Sequence, residues 1–371
     1  MKIHIQLNYG LDFNEYSANY AKGLVPDLAP YGFHHVKALE SNVTFSGDRN
    51  AGFIWNFVRR AIRRWLGIDL LHAWHNRQKI FAADVVWTMI ESDYLAVAAL
   101  KLLRYKSSPA MIGNNVWLFE RYPNFGLLRR IFYSKLIEKT EALTVHSKSY
   151  LAVAKIHIPK ARVHLMKFGI SGSTFVKPNI RQECHQGPIR ILAAGNDYSR
   201  DWPTFLAAFG GDPRFDVTIV SAQVSNKMVI QFSNICLQRR PTMDEFKDLY
   251  LWADFVVVPM THNNYSGITV AMEAVAMGCC VLSSKTGGVP TYFDEGEVLF
   301  CQVGDPKNMR ELILSCNPEQ RDAVAERGYQ RWLRDGYTTE RMVARYHQLS
   351  CDILAIEPND NIPAPASQAN Q

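Results

Sequence analysis

A polar segment in the C-terminal half of the chain has residue types that suit the binding of a phosphate group. It follows the apolar run Phe255–Pro259 and leads into a predicted helix over Thr269–Met277. The free N–H groups and the positive dipole end of a helix N-terminus attract anions, and Gly267 lets the backbone approach a ligand closely. We therefore expect an anion to contact the loop formed by Ser266, Gly267, Ile268 and Thr269.

Two charged side chains accompany this loop. Glu273 falls in the first two turns of the predicted helix, where its carboxylate can accept hydrogen bonds from a ribose diol or can simply face solvent. Arg200 follows the apolar run Ile189–Ala193 and Gly195, and Asp201 is suited to capping the next helix. The guanidinium fork of Arg200 fits two oxygens of a diphosphate, although a surface ion pair is the alternative.

Strand-like apolar runs alternate with helical patterns along most of the chain, which predicts parallel sheets with right-handed crossovers. In a doubly wound α/β sheet, ligands bind at the carboxyl ends of the strands, where Arg200 and Ser266 lie. The predicted strands are Lys2–Leu7, Asp84–Trp87, Ala110–Ile112, Ala142–Val145, Val163–Met166, Ile189–Ala193, Asp216–Val220, Ile235–Leu237, Phe255–Pro259 and Cys280–Ser283.

The polar segment 171–187 interrupts this alternation and predicts a linker between two domains. The first Rossmann-like domain would span 1–170, and the second would span 188–335. The helical pattern at 338–355 is expected to pack back on the first domain, and the tail 357–371 is expected to be disordered.

The composition excludes several classes of protein. The chain has 371 residues, of which 47% are hydrophobic and 20% charged, as is typical of globular proteins and not of coiled coils or long disordered chains. No apolar run approaches a membrane span, and no signal-peptide core follows the first residues. The seven cysteines lack a CxxC pair, which indicates a reduced cytosolic protein without a disulfide framework or a zinc site.

The charge is unevenly distributed along the chain. Residues 1–180 hold 24 of the 41 Lys and Arg and 12 of the 35 Asp and Glu, a net charge of +12, so the remaining residues carry −6. A basic half joined to an acidic half indicates that the basic half meets an anionic partner.

Four of these segments resemble retaining glycosyltransferases of family 4, of the bacterial polysaccharide and glycolipid type. Their nucleotide-binding signature resembles SGITVAMEAVAMGCCVLSSKTGGVP, and the segment after it resembles EVLFCQVGDPKNMRELI. The end of their first domain resembles KTEALTVHSKSYLAVAKIHIPKARVHLMKFGIS, and the start of their second resembles GNDYSRDWPTFLAAF. The resemblance spans about residues 140 to 315. It implies a GT-B fold, in which two doubly wound Rossmann-like domains enclose a cleft, with the acceptor bound by the domain 1–170 and the nucleotide sugar by the domain 188–335. It also implies a UDP- or GDP-linked sugar as donor, without a cofactor or a metal.

The resemblance assigns roles to individual positions. Glu273 matches the second Glu of the family's Glu-x7-Glu motif, which holds the ribose, and Arg200 matches a diphosphate-binding Lys. The loop residues Gly267, Ile268 and Thr269 match backbone that contacts phosphate and sugar. Two positions depart from the pattern, because Tyr265 replaces the first Glu of the motif and Asn196, after Gly195, replaces an Arg. Both departures affect the expected contacts to the donor sugar and diphosphate.

The first domain offers fewer candidates. Where the family commonly has a His, this chain has Glu91 and Asp93 before the predicted helix Tyr94–Leu103. Glu91 can position the acceptor hydroxyl or act as a base, which would imply inversion at the anomeric carbon, or it can cap that helix. Gly10 and Tyr9 follow the first predicted strand and are expected to line the same cleft.

The pair His72 and His75 has the spacing of metal ligands, but no cysteine or acidic cluster in the sequence completes a set. We therefore predict no metal site.

The segment Phe53–Leu66 (FIWNFVRRAIRRWL) predicts an amphipathic helix. Its apolar half carries Phe and Trp, and its other half carries Arg59, Arg60, Arg63 and Arg64, a composition typical of helices that lie in a membrane interface. The alternative is a core helix with a solvated Arg face. Residues 125–136 repeat the pattern more weakly. Because no stacking platform accompanies the charge, we expect a membrane partner and no nucleic acid.

These observations predict a glycosyltransferase that moves a sugar from a nucleoside diphosphate donor to a lipid-linked or glycan acceptor, with retention, in surface polysaccharide or glycolipid synthesis. It would lie in the cytoplasm against the inner face of the membrane. The alternatives are an inverting transferase or a nucleotide-sugar epimerase on the same fold, and a non-catalytic protein that binds a nucleotide sugar or glycan.

Overall fold

The computed structural model describes residues 1–49, 52–103, 108–178 and 186–355. Residues 179–185 of the predicted linker and the predicted tail 357–371 lie outside this part of the chain. The chain divides into two compact units. The first unit comprises Met1–Ala21, Asp27–Lys167 and the C-terminal segment from Thr339, and the second comprises Lys22–Pro26 and Phe168–Thr338.

The first unit contains a parallel six-stranded sheet. Its strands are β1 (Lys2–Gln6), β2 (Asn42–Phe45), β3 (Val85–Thr88), β4 (Ala110–Asn114), β5 (Ala142–Val145) and β6 (Val163–Leu165). Their order in the sheet is β2-β1-β3-β4-β5-β6, so the direction of winding reverses between β1 and β3. This reversal is a topological switch point, the place where such sheets bind ligands.

Helices join and cover these strands. They are α1 (Phe13–Ala21), α2 (Phe53–Leu66), α3 (Leu70–His75), α4 (Arg77–Ala82), α5 (Glu91–Leu102), α6 (Leu118–Arg121), α7 (Leu127–Ile137) and α8 (Lys148–His157), with 3-10 turns at Pro30–Leu39 and Tyr122–Asn124. The first unit also includes the last described helix, which spans Thr339–Leu354. There the Trp87 indole N–H donates to Ser350 Oγ at 2.8 Å, and the hydroxyls of Thr144 and Tyr346 lie 3.1 Å apart.

The second unit contains another parallel six-stranded sheet. Its strands are β7 (Ile189–Ala194), β8 (Phe215–Val220), β9 (Ile235–Gln238), β10 (Phe255–Val258), β11 (Cys280–Ser284) and β12 (Leu299–Cys301), in the order β12-β11-β10-β7-β8-β9. This is the strand order typical of dinucleotide-binding sheets, with the switch point between β7 and β10. The helices are α9 (Trp202–Phe209), α10 (Asn226–Val229), α11 (Met243–Trp252), α12 (Ile268–Ala276), α13 (Pro306–Ser315) and α14 (Pro318–Asp335), with a 3-10 turn at Val289–Thr291. We number the C-terminal helix of the first unit α15.

The strands at the centre of both sheets are apolar because helices cover both of their faces. All four residues of β10 are buried, and they alternate between two cores. Val256 packs with α11 and α12 on one face, and Val257 packs with Phe205 and Phe209 of α9 on the other. This arrangement confirms the predicted doubly wound α/β class and holds the carboxyl ends of β7 and β10 together at one edge.

The sequence analysis missed two strands, which both lie at sheet edges. β2 (NVTF) is partly exposed along its whole length, and β12 is only three residues long. β2 lacks the continuous apolar run that identifies a central parallel strand, and the run that contains β12 is short. The described residues include no helix that is long and apolar enough to span a bilayer.

Candidate functional site

Backbone hydrogen bonds join three loops at the carboxyl ends of the central strands of the second sheet. The Thr261 N–H donates to the Ser199 carbonyl at 2.9 Å, and the Asp201 N–H donates to the Pro259 carbonyl at 3.0 Å. The Ser284 hydroxyl, at the end of β11, accepts from the Met260 N–H at 2.9 Å. These bonds fix the loops after β7, β10 and β11 relative to one another at the switch point, where the predicted site residues lie.

The guanidinium of Arg200 is buried over the end of β7. Its Nε lies 2.9 Å from Asp197 Oδ2, and its Nη1 donates to the Met260 sulfur at 3.3 Å. A side chain at position 195 would overlap this guanidinium, so only glycine leaves room for it. No hydrogen bond runs from Nη2 to any described residue, which leaves that nitrogen for an anionic ligand. Burial lowers the pKa of Arg200 and the Asp197 carboxylate opposes this, so the side chain stays charged.

The loop before α12 is held in shape by the side chain of Asn263. Its Oδ1 accepts from the backbone N–H groups of Tyr265 at 3.1 Å and Ser266 at 2.8 Å. The Gly288 N–H donates to the Ser266 carbonyl at 2.8 Å. Gly267 then begins α12 with φ of +90°, a conformation that favours glycine, and no side chain caps the first N–H groups of the helix. The loop therefore presents uncapped amides of Ile268 and Thr269, of which Thr269 is exposed.

Glu273 lies on α12 close to Arg200 and is almost fully buried. Its Oε2 accepts a 2.8 Å hydrogen bond from the hydroxyl of Tyr250 on α11. Burial raises the pKa of Glu273 to about 7, and both the Tyr250 hydroxyl and the charge of Arg200 oppose this rise. The structure thus brings Glu273, Arg200 and the start of α12 together, and it adds Tyr250, which the sequence analysis did not identify.

Asn196 shapes the neighbouring loop. Its Oδ1 accepts from the Ala222 N–H at 2.7 Å, and its carbonyl accepts from the Gln223 side chain. The side chain thus ties the loop after β7 to the loop after β8. Its role in binding the donor stays a prediction.

Signals for the missed residues were present in the sequence. Tyr250 occurs on the apolar face of a predicted helix, four residues after Phe246, and a buried Tyr hydroxyl usually needs a partner. Asp197 is three residues from Arg200, and Asn263 is a residue type that often bonds the backbone two or three residues ahead of it.

Glu91 lies at the switch point of the first sheet and is fully buried. Its Oε1 accepts from the backbone N–H groups of Val116 at 2.6 Å, Trp117 at 2.6 Å and Leu118 at 2.9 Å. Burial raises the pKa of Glu91, and these amides oppose the rise. The carboxylate therefore caps the start of α6 rather than its own helix, which begins at Glu91 and not at Tyr94. Oε2 has no hydrogen-bond partner among the described residues, and the predicted catalytic role stays a prediction.

Gly10 also lies at this switch point, with φ of +91°. Its N–H donates to Asp48 Oδ2 at 2.7 Å, and Arg59 stacks over the neighbouring Tyr9 ring at 3.7 Å. Asp93 is buried beside Asp69, and burial raises its pKa well above the usual range. His72 is buried and bonds to the Leu7 carbonyl at 3.0 Å, and the predicted absence of a metal site stays a prediction.

The geometry of the second unit suits a nucleotide. A buried cation and an uncapped helix N-terminus can hold a diphosphate, and a carboxylate beside them can hold a diol. Comparisons with known proteins agree with this chemistry. A family model described as "Glycosyl transferase-like" matches residues 199–348, less than half of the chain, and the matched range includes Arg200 and Glu273.

Among curated proteins, the chain is similar to a lipopolysaccharide 1,2-N-acetylglucosaminetransferase from Salmonella typhimurium. The two are 21% identical over 321 residues, which cover 78% of this chain and 80% of that protein.

Among solved structures, the chain is similar to sucrose-phosphate synthase from Thermosynechococcus elongatus, with a TM-score of 0.73 and 14% identity over 96% of this chain and 100% of that one. It is also similar to Anabaena HepE in complex with UDP and glucose, with a TM-score of 0.66 and 8% identity over 93% and 98% of the two chains. The predicted GT-B fold is confirmed. The family match and the curated relative also confirm the prediction that the chain is a glycosyltransferase.

Proposed function

We propose that this glycosyltransferase moves a sugar from a nucleoside diphosphate sugar to a glycan or lipid-linked acceptor in the synthesis of a bacterial surface polysaccharide. The observation that carries the proposal is the presence of two buried charged groups, Arg200 and Glu273, near the uncapped N-terminus of α12, at the switch point of the second sheet. The curated relative acts in lipopolysaccharide synthesis, and the Anabaena neighbour binds UDP and UDP-glucose, which supports this class of acceptor and donor.

The donor would be held by three groups of the second unit. The Glu273 carboxylate accepts hydrogen bonds from the ribose hydroxyls, while Arg200 and the amides at the start of α12 bind the diphosphate. Tyr265 and Asn196 occupy positions near the sugar and diphosphate where the resembled family has charged side chains. The resulting loss of charge is the feature of this site that should influence the choice of donor sugar.

The chemical step breaks the bond between the anomeric carbon and the diphosphate, and the acceptor hydroxyl forms a new bond to that carbon. Negative charge develops on the leaving diphosphate, so a fixed cation and helix amides stabilise the transition state more than the ground state. We propose retention of the anomeric configuration, in line with the family 4 resemblance. The acceptor hydroxyl then transfers its proton to the departing diphosphate on the same face of the sugar.

A donor screen tests this proposal. We expect one of the UDP- or GDP-sugars to raise the melting temperature of the protein and to bind in a calorimetric titration. With that donor and an acceptor glycan, NMR of the product is expected to show the anomeric configuration of the donor. Inverted product would contradict retention, and a protein that binds none of the donors would contradict the whole proposal.

We also propose that the first unit rests on an anionic membrane surface through α2. The large apolar side chains of this helix face outward, with exposed fractions of 81% for Phe53, 78% for Ile54, 63% for Phe57 and 80% for Trp65. This outward apolar face contradicts the alternative of a core helix with a solvated Arg face. Arg60 and Arg64 are exposed on the same helix, as expected for a helix that lies in a lipid interface.

Two of the four arginines of α2 lie close to a buried carboxylate of the first unit. Arg59 is buried and forms an ion pair with Asp69, and Arg63 lies 3.8 Å from the same carboxylate. The helix is therefore attached to the first unit by arginines, while its apolar side chains remain uncovered. Leu127, Leu128 and Ile131 of α7 are also exposed in this unit. They are candidates for a second membrane contact at 125–136.

A flotation assay with liposomes that contain anionic lipid tests this surface. Replacing Phe53, Phe57 and Trp65 with serine is expected to reduce the bound fraction at least tenfold, because each buried aromatic side chain contributes on the order of 2 kcal/mol. Arg60→Glu with Arg64→Glu is expected to weaken binding to anionic liposomes but not to neutral ones. The matched control replaces exposed Ile156 and Ile230 with serine. Equal binding by all variants would exclude the surface.

A further inference from the structure

We propose that Tyr250 is a positioning residue of the donor site. Its hydroxyl holds one oxygen of Glu273, so that the other oxygen is presented to the ribose. This inference deepens the proposed function and rests on it. Neither the spacing of the sequence motifs nor the comparisons point to Tyr250, since its role follows from one contact between α11 and α12.

Tyr250 is held rigidly in the core of the second unit. A capping box fixes the start of α11, because Thr242 and Glu245 each bond the backbone of the other. The Tyr250 ring is fully buried, and its centroid lies 4.8 Å from that of Phe246 and 6.2 Å from that of Phe175. This packing fixes the orientation of the Tyr250 ring, and its hydroxyl points at Glu273.

The two oxygens of the Glu273 carboxylate differ in their contacts. Oε2 accepts the 2.8 Å hydrogen bond from Tyr250. No hydrogen bond reaches Oε1 from the described residues, and Glu273 as a whole retains 8% exposure. A carboxylate with one oxygen anchored cannot rotate freely, so Oε1, the oxygen that we propose for the ribose, is held in a fixed orientation. Fixing a binding group in advance lowers the entropy cost of binding a ligand.

The hydroxyl also favours the charged form of Glu273. Burial raises the pKa of Glu273 to about 7, so about half of the carboxyls are ionised at neutral pH. The groups that face it are Arg200, from the loop after β7, and Tyr250, and both favour the ionised form. Cys279 lies behind Tyr250, where its thiol contacts the Tyr250 carbonyl. A donated hydrogen bond stabilises the charged form of a carboxyl group, so its removal would raise the pKa of Glu273 further.

The test is the pH dependence of donor binding by wild type and Tyr250→Phe, which removes only the hydroxyl. UDP-N-acetylglucosamine is a suitable probe for calorimetry between pH 6 and 9, because its diphosphate is a diester and lacks the monoester ionisation near pH 6. Wild-type affinity is expected to rise with a midpoint near pH 7. In Tyr250→Phe we expect the midpoint to move up by about one unit. The affinity is then about fivefold weaker at pH 7 and nearly equal to wild type at pH 9.

Tyr292→Phe is the matched control. Tyr292 is a buried Tyr of the same core, and its hydroxyl accepts from the Phe168 N–H rather than contacting Glu273. Its profile is expected to match that of wild type. A loss of affinity in Tyr250→Phe that is constant from pH 6 to 9 would indicate general damage and overturn the proposal, as would an unchanged profile. At saturating donor, the kcat of Tyr250→Phe is expected to equal that of wild type, because the contact of Glu273 with the ribose is made equally in the ground and transition states.

The experiment separates this proposal from the proposed function. If wild type binds the donor and Tyr250→Phe behaves like wild type, only the positioning role is wrong. If wild type binds neither UDP-N-acetylglucosamine nor any other sugar nucleotide of the screen, the proposed function is wrong and the positioning role falls with it.

Discussion

Replacing Arg200 with alanine is expected to lower the kcat of sugar transfer by about 100-fold to 1000-fold, the range measured when a fixed donor to a developing negative charge is removed. Arg200 is a buried cation at the end of β7, held by Asp197 and shielded from water, so its charge acts strongly on a diphosphate. Steady-state kinetics with the identified donor measures the effect, which should appear in kcat more than in KM.

Two further variants test whether the loss of activity is specific to the guanidinium of Arg200. Arg200→Lys keeps the charge but loses the planar fork, so it is expected to recover only part of the activity. Arg214→Ala removes an exposed arginine that pairs with Asp212 near the start of β8, at the opposite edge of the same sheet, and is expected to be neutral. If Arg200→Ala retains activity within twofold of wild type while melting normally, Arg200 does not stabilise the leaving group.

Replacing Glu273 with glutamine is expected to raise the donor KM roughly 30-fold, which corresponds to the loss of about 2 kcal/mol from hydrogen bonds to a charged acceptor. The kcat should change little, because the ribose lies away from the reacting carbon. Glu295→Gln is the control, since Glu295 is an exposed carboxylate of the same unit that pairs with Lys285. An unchanged KM would exclude a ribose contact by Glu273.

The same substitution is expected to stabilise the protein at alkaline pH. The pKa of Glu273 is raised from 4.5 to about 7 by burial, so the folded state holds its proton more tightly than the unfolded state. The contribution of this group to the free energy of unfolding is fully present below pH 4.5 and is lost as the pH rises through 7. The loss is about 3 kcal/mol. A glutamine does not ionise, so the free energy of unfolding of Glu273→Gln does not fall in this way as the pH rises. Urea unfolding should therefore show Glu273→Gln above wild type at pH 8, with a difference that shrinks towards pH 4.5.

The parts of the structure that the sequence predicted are those with local signals. Central strands such as β10 appear as continuous apolar runs, and Arg200 and Glu273 follow such runs at short, recognisable distances. Tyr250 is different, because its contact with Glu273 joins residues 23 positions apart on two helices. No local pattern specifies the crossing of α11 and α12 that brings them within 2.8 Å.

Helix α2 shows a second limit of sequence analysis. Its periodicity correctly divides the helix into an apolar half and an Arg-rich half, but periodicity alone does not tell which half faces inward. That choice depends on Asp69, ten residues beyond Arg59, whose buried carboxylate attracts the guanidinium. Because a buried carboxylate needs a partner, Arg59 turns inward, while Arg60, Arg64 and most of the aromatic side chains stay exposed.

The placement of α15 in the first unit has a consequence for biosynthesis. The strands of the first sheet are translated before those of the second, but the helix that contacts Trp87 and Thr144 is translated only after the whole second sheet. The first unit therefore cannot complete its folding in the usual N-terminal-first order. The second unit, whose strands are contiguous in the chain, can form during this delay. Until α15 has been translated, the Trp87 ring lacks its contact with Tyr346, so one face of the first sheet in the nascent protein is incompletely covered.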